Sequence, residues 1–346
     1  METRVVKVTK DSVDILNEAG ALLRSGELVA FPTETVYGLG ASAYDGEACK
    51  NVFLAKGRPS DNPLIVHVSE PSEAENIAYT CPLYYELAKR FMPGPLTVIL
   101  PKKDVIPPET TGGLDTVAVR CPENEIARAL IRAAKIPIAA PSANASGKPS
   151  PTSASHVYND LNGKIPLILD GGPSKFGVES TVISVSDGKI TLLRPGSITP
   201  EMLAGVCDVT IAGAVKSELK SGEVALSPGM KYKHYAPLAS LYLVDDRYID
   251  FVSFAREKQK TENTAIMCYD EEIPHLDKKN LLPVGKKQDV AEQAHRLFDL
   301  LRQADELGAD TAYAHLPSES GESLAIYNRL IRACAHRIIG GKNGEE

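Results

Sequence analysis

Two cations lie close together on a turn that glycine and proline stiffen. Lys56 and Arg58 flank Gly57 and precede Pro59, and the segment FPTETVYG, with its two threonines, stands earlier in the chain. Lysine and arginine beside fixed hydroxyl groups can hold a phosphate chain next to a small polar substrate. Cations on loops are often only solvated, so this pair by itself does not establish a phosphate-binding site. No GxxxxGK[ST] sequence occurs, which excludes a P-loop.

Small polar residues also follow apolar, strand-like runs further along the chain. Ser142, Asn144 and Ser150 come after the run PIAAP, and Ser180 follows DGGPSKFGVE. Arg194 ends another run before a Pro-Gly turn. Each feature is also compatible with an ordinary loop, a hairpin or a surface cation. Together they predict a polar ligand site, because open α/β sheets bind ligands at strand ends.

Two strand-like runs contain polar residues among apolar ones. TVAVR alternates, so Thr116, Ala118 and Arg120 should share one face while the valines enter the core. His67 lies in the apolar run LIVHV, where it is either a buried core histidine or a ligand contact. The chain has no HExxH motif, Cys/His metal spacing or GxSxG motif, so neither a protein-bound metal nor a serine-hydrolase site is predicted.

Residues 1–211 combine helical periods with strand-like runs. Helical periods occur near 12–24, 46–55, 83–91 and 124–134. Strand-like runs occur near 28–31, 64–68, 96–100, 116–120, 136–140, 167–170, 181–185 and 190–193. The mixed spacing predicts an α/β domain with one large, twisted, open sheet of parallel and antiparallel strands.

Residues 238–346 show a more regular alternation. Strands are predicted near 240–244, 265–268, 281–284 and 312–315, and helices near 247–258, 289–307 and 322–338. This pattern predicts a smaller, Rossmann-like α/β domain, although no GxGxxG sequence supports a dinucleotide site. Residues 212–237 contain several glycines and prolines and no apolar period, which predicts an interdomain linker.

Length and composition restrict the number of domains, the kinds of partner and the cellular compartment that can be expected. A chain of 346 residues exceeds what one core usually supports, in agreement with two domains. The net charge of -7 disfavours a dedicated nucleic-acid binder. Six cysteines without a CxxC pair indicate a reducing compartment, and neither a signal peptide nor a membrane-spanning apolar run is evident. The sequence therefore predicts a cytoplasmic protein with no membrane partner.

Six segments, in chain order, resemble the YrdC-like threonylcarbamoyl-AMP synthase family in its longer, two-domain version. They are FPTETVYGLG, KGRPSDNPLIVHV, APSANASGKPSPT, DGGPSKFGVESTVISV, LLRPGSIT and SPGMKYKHYAP. In residues 238–346 the resemblance rests on layout alone. It implies synthesis of threonylcarbamoyl-AMP from L-threonine, bicarbonate and ATP, with Mg²⁺ accompanying ATP and pyrophosphate released. It also implies that a transferase complex passes the product to adenosine 37 of tRNA.

The resemblance implies functional residues as well. The family's catalytic tetrad matches Lys56, Arg58, Ser142 and Asn144. The implied L-threonine pocket consists of Thr35, His67, Arg120, Ala140 and Ser180. The implied ATP contacts are Arg58, Asn62, Thr116, Ser142, Ser150, Arg194, His234 and Tyr235.

The linker has more aromatic and basic side chains than a passive spacer would need. We therefore expect it to fold over the cleft as a lid, with His234 or Tyr235 reaching the nucleotide, because a carbamate and a mixed anhydride need protection from water. The alternative is an exposed tether.

Two other functions remain open at this stage. One is a non-catalytic module that binds double-stranded RNA or tRNA, although the acidic balance allows at most a weak tRNA contact. The other is carbamoyl transfer of the kind found in hydrogenase maturation. Proteins of that kind also carry an acylphosphatase segment and zinc-finger cysteines, and this sequence has neither.

Overall fold

The computed structural model describes residues 2–215 and 235–340. These residues form two compact units, one of residues 2–146 and 150–215, the other of residues 147–149 and 235–340. Most of the predicted linker falls in 216–234, outside the described residues, so the lid stays a prediction. The first linker residues belong to the first unit, where Ala212 and Ala214 pack against its sheet beside Leu193.

The first unit is built on one mixed sheet of eleven described strands. In chain order they are β1 (Arg4–Lys7), β2 (Val29–Phe31), β3 (Gly38–Ser42), β4 (Ile65–His67), β5 (Leu96–Pro101), β6 (Thr116–Arg120), β7 (Ile138–Ala140), β8 (Leu167–Asp170), β9 (Thr181–Ser186), β10 (Lys189–Arg194) and β11 (Val209–Ile211). Their order across the sheet is β1-β8-β2-β3-β7-β4-β6-β5-β9-β10-β11. Both parallel and antiparallel neighbours occur, which confirms the predicted mixed sheet.

Helices of the first unit pack on this sheet and end at defined caps. They are α1 (Val13–Arg24), α2 (Gly46–Lys56), α3 (Pro82–Phe91), α4 (Pro108–Thr111), α5 (Glu125–Ala134), α6 (Ala154–Leu161) and α7 (Pro200–Ala204). Asp45 caps α2 by accepting two backbone N–H groups, and Gly57 ends it with a left-handed φ of 63° that disfavours a side chain. Asn124 caps α5 in the same way as Asp45 caps α2. These caps fix the end of α2 next to Arg58 and the start of α5 just after β6.

The second unit is a five-stranded parallel sheet with three described α-helices. The strands are β12 (Ser240–Val244), β13 (Thr264–Cys268), β14 (Leu281–Pro283), β15 (Thr311–His315) and β16 (Ile338–Ile339), and the helices are α8 (Phe251–Thr261), α9 (Val290–Glu306) and α10 (Ser323–Ala333). The strand order is β14-β13-β15-β12-β16 with every pair parallel. The predicted smaller α/β domain is confirmed. None of the described helices is both long and apolar enough to cross a membrane.

One helix of the second unit is shorter than predicted. The sequence predicted a helix over 322–338, but α10 ends at Ala333 and Ile338–Ile339 pair with β12 instead. Ala335 and His336 adopt positive φ angles of 50° and 60°, which a continuing α-helix does not permit. The prediction of helix beyond Ala333 is therefore wrong.

His315, at the end of β15, is buried between two carboxylates. Nδ1 lies 2.8 Å from Asp246 Oδ2, and Nε2 lies 2.9 Å from Glu272 Oε2. The ring stacks between Phe251 and Tyr269. Burial lowers the pKa of His315, but the hydrogen bonds to the two carboxylates and their charges outweigh burial and raise the pKa above its ordinary value. The protonated imidazole therefore stabilises the second unit.

The raised pKa gives a pH dependence of stability. The contribution of His315 is complete below the ordinary histidine pKa of about 6.5 and is lost as the pH rises through the raised folded value. We expect the unfolding free energy of the wild-type protein to fall over this interval more steeply than that of His315→Gln. Urea denaturation at several pH values measures both, with His275→Gln, at an exposed histidine of the same unit, as control. Parallel profiles for wild type and His315→Gln would contradict the prediction.

Candidate functional site

Buried polar side chains form a row across the large sheet. His67 on β4 lies opposite Arg120 on β6, and Arg120 lies opposite Thr97 on β5. The Thr97 hydroxyl is 2.8 Å from the hydroxyl of Ser180, the residue just before β9. None of the four is more than 4% exposed. The structure thus brings together three residues of the predicted threonine pocket and adds Thr97 between two of them.

Glu34 forms a buried ion pair with Arg120. Arg120 Nη2 donates to Glu34 Oε1 at 2.6 Å, and the Asn124 backbone N–H donates to Glu34 Oε2 at 3.3 Å. Burial pushes the pKa of Glu34 upward, but the charge of Arg120 and its hydrogen bond hold the pKa below its usual value. Arg120 Nε is buried and has no hydrogen-bond partner among the described residues. A guanidinium fixed on one side with a donor unused is suited to bind a carboxylate.

The loop after β2 and the end of β7 supply the other two predicted threonine contacts. Thr35 is fully buried next to Glu34, and its hydroxyl lies 2.9 Å from that of Thr33. Ala140 pairs with Ile65, two residues before His67 on β4. Because β7, β4, β6, β5 and β9 are contiguous, these residues occupy one region of the sheet.

The imidazole of His67 is enclosed by the protein. Nδ1 lies 3.1 Å from the Ile65 carbonyl oxygen, and the ring meets Phe31 edge-on at 5.9 Å between centroids. Burial, followed by the positive charge of Arg120, lowers the pKa of His67 to about 3. The side chain is therefore neutral at physiological pH. Its contact with threonine stays a prediction.

Lys56 holds the loop that follows β7. Its ammonium donates to the Ser142 carbonyl oxygen, to the Asn144 carbonyl oxygen at 2.6 Å and to Asn144 Oδ1 at 3.4 Å. The Ser142 hydroxyl donates to Asn144 Oδ1 at 2.5 Å, and the Ser146 N–H donates to the Lys56 carbonyl at 2.8 Å. Three members of the predicted catalytic tetrad therefore form one cluster. Its bonding gives Lys56 a structural task in addition to the predicted catalytic one.

Removal of the Lys56 charge should destabilise the first unit. We expect Lys56→Met to lower the unfolding free energy by about 2–4 kcal/mol, because the carbonyls of Ser142 and Asn144 lose a buried charged donor. Lys50→Met, at an exposed site on the same helix, should change it by less than about 0.5 kcal/mol. Urea denaturation compares the two variants, and equal effects would show that the cluster does not depend on the ammonium.

Arg58 and Asn62 lie on the turn between α2 and β4. Arg58 Nη2 donates to the carbonyl oxygens of Asn62 at 3.3 Å and Pro63 at 3.5 Å. Asn62 is 1% exposed, yet neither its Nδ2 nor its Oδ1 has a hydrogen-bond partner among the described residues. Buried amides are normally bonded, so this one is suited to a polar ligand.

The remaining predicted nucleotide contacts of the first unit are spread more widely. The Ser150 hydroxyl donates to Glu179 Oε1 at 2.6 Å. Arg194 donates to the Ser180 carbonyl at 3.0 Å and to its hydroxyl at 3.1 Å, so it adjoins the polar row. Thr116 stands at the other end of β6 from the row.

Tyr235 belongs to the second unit. It is 5% exposed, and its ring centroid lies 5.0 Å from that of Phe298. His234 lies outside the described residues. The nucleotide contacts of both residues stay predictions.

Several buried polar residues next to the predicted site were not found from the sequence, among them Glu34, Thr97 and Glu179. Glu34 carried a usable signal, because a carboxylate inside the otherwise uncharged segment FPTETVYG suggests a buried partner. Its partner Arg120 is 86 residues away, however, and no local pattern identifies it.

Two family models match the chain. The Sua5/YciO/YrdC model, described as "Telomere recombination", matches residues 21–196, and the model "Threonylcarbamoyl-AMP synthase, C-terminal domain" matches residues 198–335. The chain is also 47% identical to the threonylcarbamoyl-AMP synthase of Pyrococcus abyssi, with 93% of this chain and 94% of that protein covered. This chain belongs to the two-domain threonylcarbamoyl-AMP synthase family. The resemblance carried by the six motifs is confirmed.

Further relatives of this synthase support the same family assignment. It is 45% identical to the threonylcarbamoyl-AMP synthase of Bacillus subtilis, with 93% of each chain covered. The crystal structure of P. abyssi Sua5 complexed with L-threonine superposes with a TM-score of 0.88 at 43% identity, covering 98% of this chain and 99% of that one. The chain is therefore an enzyme of this family with the same two-domain α/β fold.

Proposed function

We infer that this synthase joins L-threonine, bicarbonate and ATP into threonylcarbamoyl-AMP and releases pyrophosphate. The observation that carries the inference is the buried row of His67, Arg120, Thr97 and Ser180, in a chain that matches synthases over nearly its whole length. A relative of the same fold was solved with L-threonine bound, which supports an amino-acid site in this fold.

We assign L-threonine to this row. Arg120 binds the carboxylate, because its unused Nε and the rest of its guanidinium offer donors in one plane. The hydroxyls of Thr35 and Ser180 bond the polar groups of the substrate, and Ala140 lines the pocket. His67 is neutral, so it contacts the amino acid without repelling its ammonium group.

We assign ATP to the turn and loops that carry the remaining predicted contacts. Arg58 and Arg194 face the triphosphate, whose charge Mg²⁺ bound with ATP would also reduce. The buried, unbonded amide of Asn62 supports a polar ligand here. Further contacts are proposed for Thr116, Ser142, Ser150, His234 and Tyr235. Lys56 and Asn144 shape the loop that holds Ser142.

The proposed reaction needs no covalent bond between the substrates and the protein. The threonine amine, once deprotonated, captures CO₂ from bicarbonate and forms a carbamate. A carbamate oxygen then attacks the α-phosphorus in line, and the bond to the bridging oxygen of pyrophosphate breaks. Positioning of the two substrates and stabilisation of the developing charge by Arg58 and Arg194 provide the catalysis.

Pyrophosphate release tests this function directly. The purified full-length protein should release pyrophosphate from ATP only when L-threonine and bicarbonate are both present. A module that only binds RNA would release none. Release that does not depend on threonine would contradict the proposed reaction.

The pocket should select threonine by a hydrogen bond to its side-chain hydroxyl. A buried site that hydrogen-bonds a substrate hydroxyl discriminates strongly against an analogue without the hydroxyl, because its own polar groups are then left unpaired. An apolar site discriminates much more weakly against a substrate with an additional group. We expect kcat/KM for 2-aminobutyrate to be at least about 100-fold below that for threonine, with serine in between. Pyrophosphate release with the three amino acids measures this order, and equal turnover of threonine and 2-aminobutyrate would show that the hydroxyl is not read.

We further propose that the product passes to a transferase complex that modifies position 37 of tRNA, in the cytoplasm. The labile mixed anhydride requires a consumer close by, and any contact of the synthase itself with tRNA is weak. All six cysteines are free thiols, which supports a reducing compartment.

A further inference from the structure

Glu34 and Arg120 form a deeply buried pair of full opposite charges. The side chain of Arg120 is 5% exposed and that of Glu34 is 3% exposed. Three segments meet at Glu34: Arg120 of β6, the Asn124 N–H at the start of α5, and the Phe176 N–H, which donates to the Glu34 carbonyl at 2.8 Å. Two donors therefore hold the carboxylate, and a third fixes the backbone of the same residue.

The pair also sets the charge of the pocket. Arg120 alone would present a full positive charge in a region from which water is largely excluded, and such a site attracts phosphate dianions strongly. With Glu34 at 2.6 Å the pair is neutral overall. His67 beside it is neutral as well. A neutral, hydrogen-bonding pocket favours a zwitterionic amino acid over a dianion, since the zwitterion brings no net charge into the buried site.

We propose that Glu34 is a positioning and specificity-determining residue of the amino-acid pocket. It orients the guanidinium of Arg120 toward the threonine carboxylate and cancels its charge, so that phosphate and pyrophosphate do not occupy the threonine site. ATP brings three phosphates into the same catalytic region, so the enzyme needs a means of keeping phosphate groups out of the amino-acid pocket. This inference rests on the proposed function in so far as it places threonine at Arg120.

Two substitutions of Glu34 separate its two effects. Glu34→Gln keeps the shape of the side chain and an acceptor for Arg120 but removes the charge. It should raise the threonine KM by at least about tenfold, leave the ATP KM within about threefold, and let inorganic phosphate compete with threonine. Glu34→Asp keeps the charge but moves it. This variant should also raise the threonine KM, yet phosphate should still fail to compete.

Glu179→Gln is the matched control, because it neutralises a second buried carboxylate, which bonds Ser150 on the proposed nucleotide side. It should raise the ATP KM and leave phosphate unable to compete with threonine. A threonine KM of Glu34→Gln within threefold of wild type, or phosphate that does not compete in that variant, overturns the inference.

Calorimetric titration of the full-length proteins with threonine, with and without phosphate, gives the same comparison without turnover. Thermal unfolding identifies a variant that has lost its fold. If Glu34→Gln has done so, the threonine KM of Glu34→Asp decides: a raised KM supports the inference and a wild-type KM overturns it. If the wild-type protein neither binds threonine nor releases pyrophosphate, the proposed function itself has failed. If wild type does both and Glu34→Gln behaves like wild type, only the role of Glu34 is wrong.

Discussion

Replacement of Arg120 by glutamine is expected to reduce threonine-dependent pyrophosphate release by about 100- to 1000-fold. Loss of a buried, charged donor to a carboxylate weakens binding by about 3–4 kcal/mol, because the carboxylate then lacks its partner. The same change leaves Glu34 buried without its cation and should lower the unfolding free energy by about 3 kcal/mol. Steady-state kinetics and urea denaturation measure the two effects separately.

Binding and folding can be distinguished with a double variant. Arg120→Gln combined with Glu34→Gln removes the unpaired charge and should recover much of the lost stability but none of the activity. Arg128→Gln, which affects an arginine paired with Glu70 nearer the surface, should leave turnover within about threefold of wild type. Recovery of activity in the double variant would show that Arg120 acts only through the fold.

Replacement of Arg58 by alanine should abolish adenylate formation while the fold remains intact. An arginine that neutralises charge at a transferring phosphoryl group contributes about 1000-fold or more to the rate. Arg58 is a half-buried loop cation whose Nη2 makes long hydrogen bonds to two backbone carbonyls, so its contribution to stability should stay below about 1 kcal/mol. The measurement is pyrophosphate release at saturating threonine and bicarbonate, together with thermal unfolding.

Arg90→Ala supplies the comparison for this variant. Arg90 is an exposed arginine of the same unit that also donates to a backbone carbonyl, that of Gly205. It should keep wild-type turnover. Near-normal turnover by a folded Arg58→Ala protein would contradict the proposed placement of the triphosphate.

Alternation in the local sequence predicted the bounds of β6 and which of its residues share a face. The run Thr116–Arg120 was predicted as a strand with Ala118 and Arg120 on one face, and β6 has those bounds. Ala118 is itself buried and packs against Ile65 and Ile99 of the neighbouring strands, so the core is not confined to the face of the valines as predicted. Such positions depend on a period of two residues, which the local sequence contains.

β3 was not predicted, because pairing with distant strands, and not its local sequence, makes this segment a strand. The segment GLGAS has no β-branched or aromatic residue and therefore low intrinsic strand propensity. It is a strand because β2 and β7 bond it on both sides. A side chain at Gly40 would lie 2.8 Å from Ile138 Cγ2, so the neighbouring strand requires glycine there.

The hydrogen-bond and ion-pair partners of the candidate site residues could not be predicted from the sequence, for a related reason. Arg120 and Glu34 are 86 residues apart, and Thr97 and Ser180 are 83 apart. Only the order of strands brings each pair together. The residue types could be read from the motifs, but the ion pair that sets the charge of the pocket could not.

This chain alone should make threonylcarbamoyl-AMP, and incorporation of an isotope from bicarbonate can show it. Purified full-length protein is incubated with ATP, Mg²⁺, L-threonine and ¹³C-labelled bicarbonate, and the nucleotide products are analysed by mass spectrometry. We expect a threonine-dependent adenylate that carries one ¹³C atom from bicarbonate, formed together with pyrophosphate. An unlabelled threonyl adenylate, or no adenylate from a protein that binds both substrates, would contradict it.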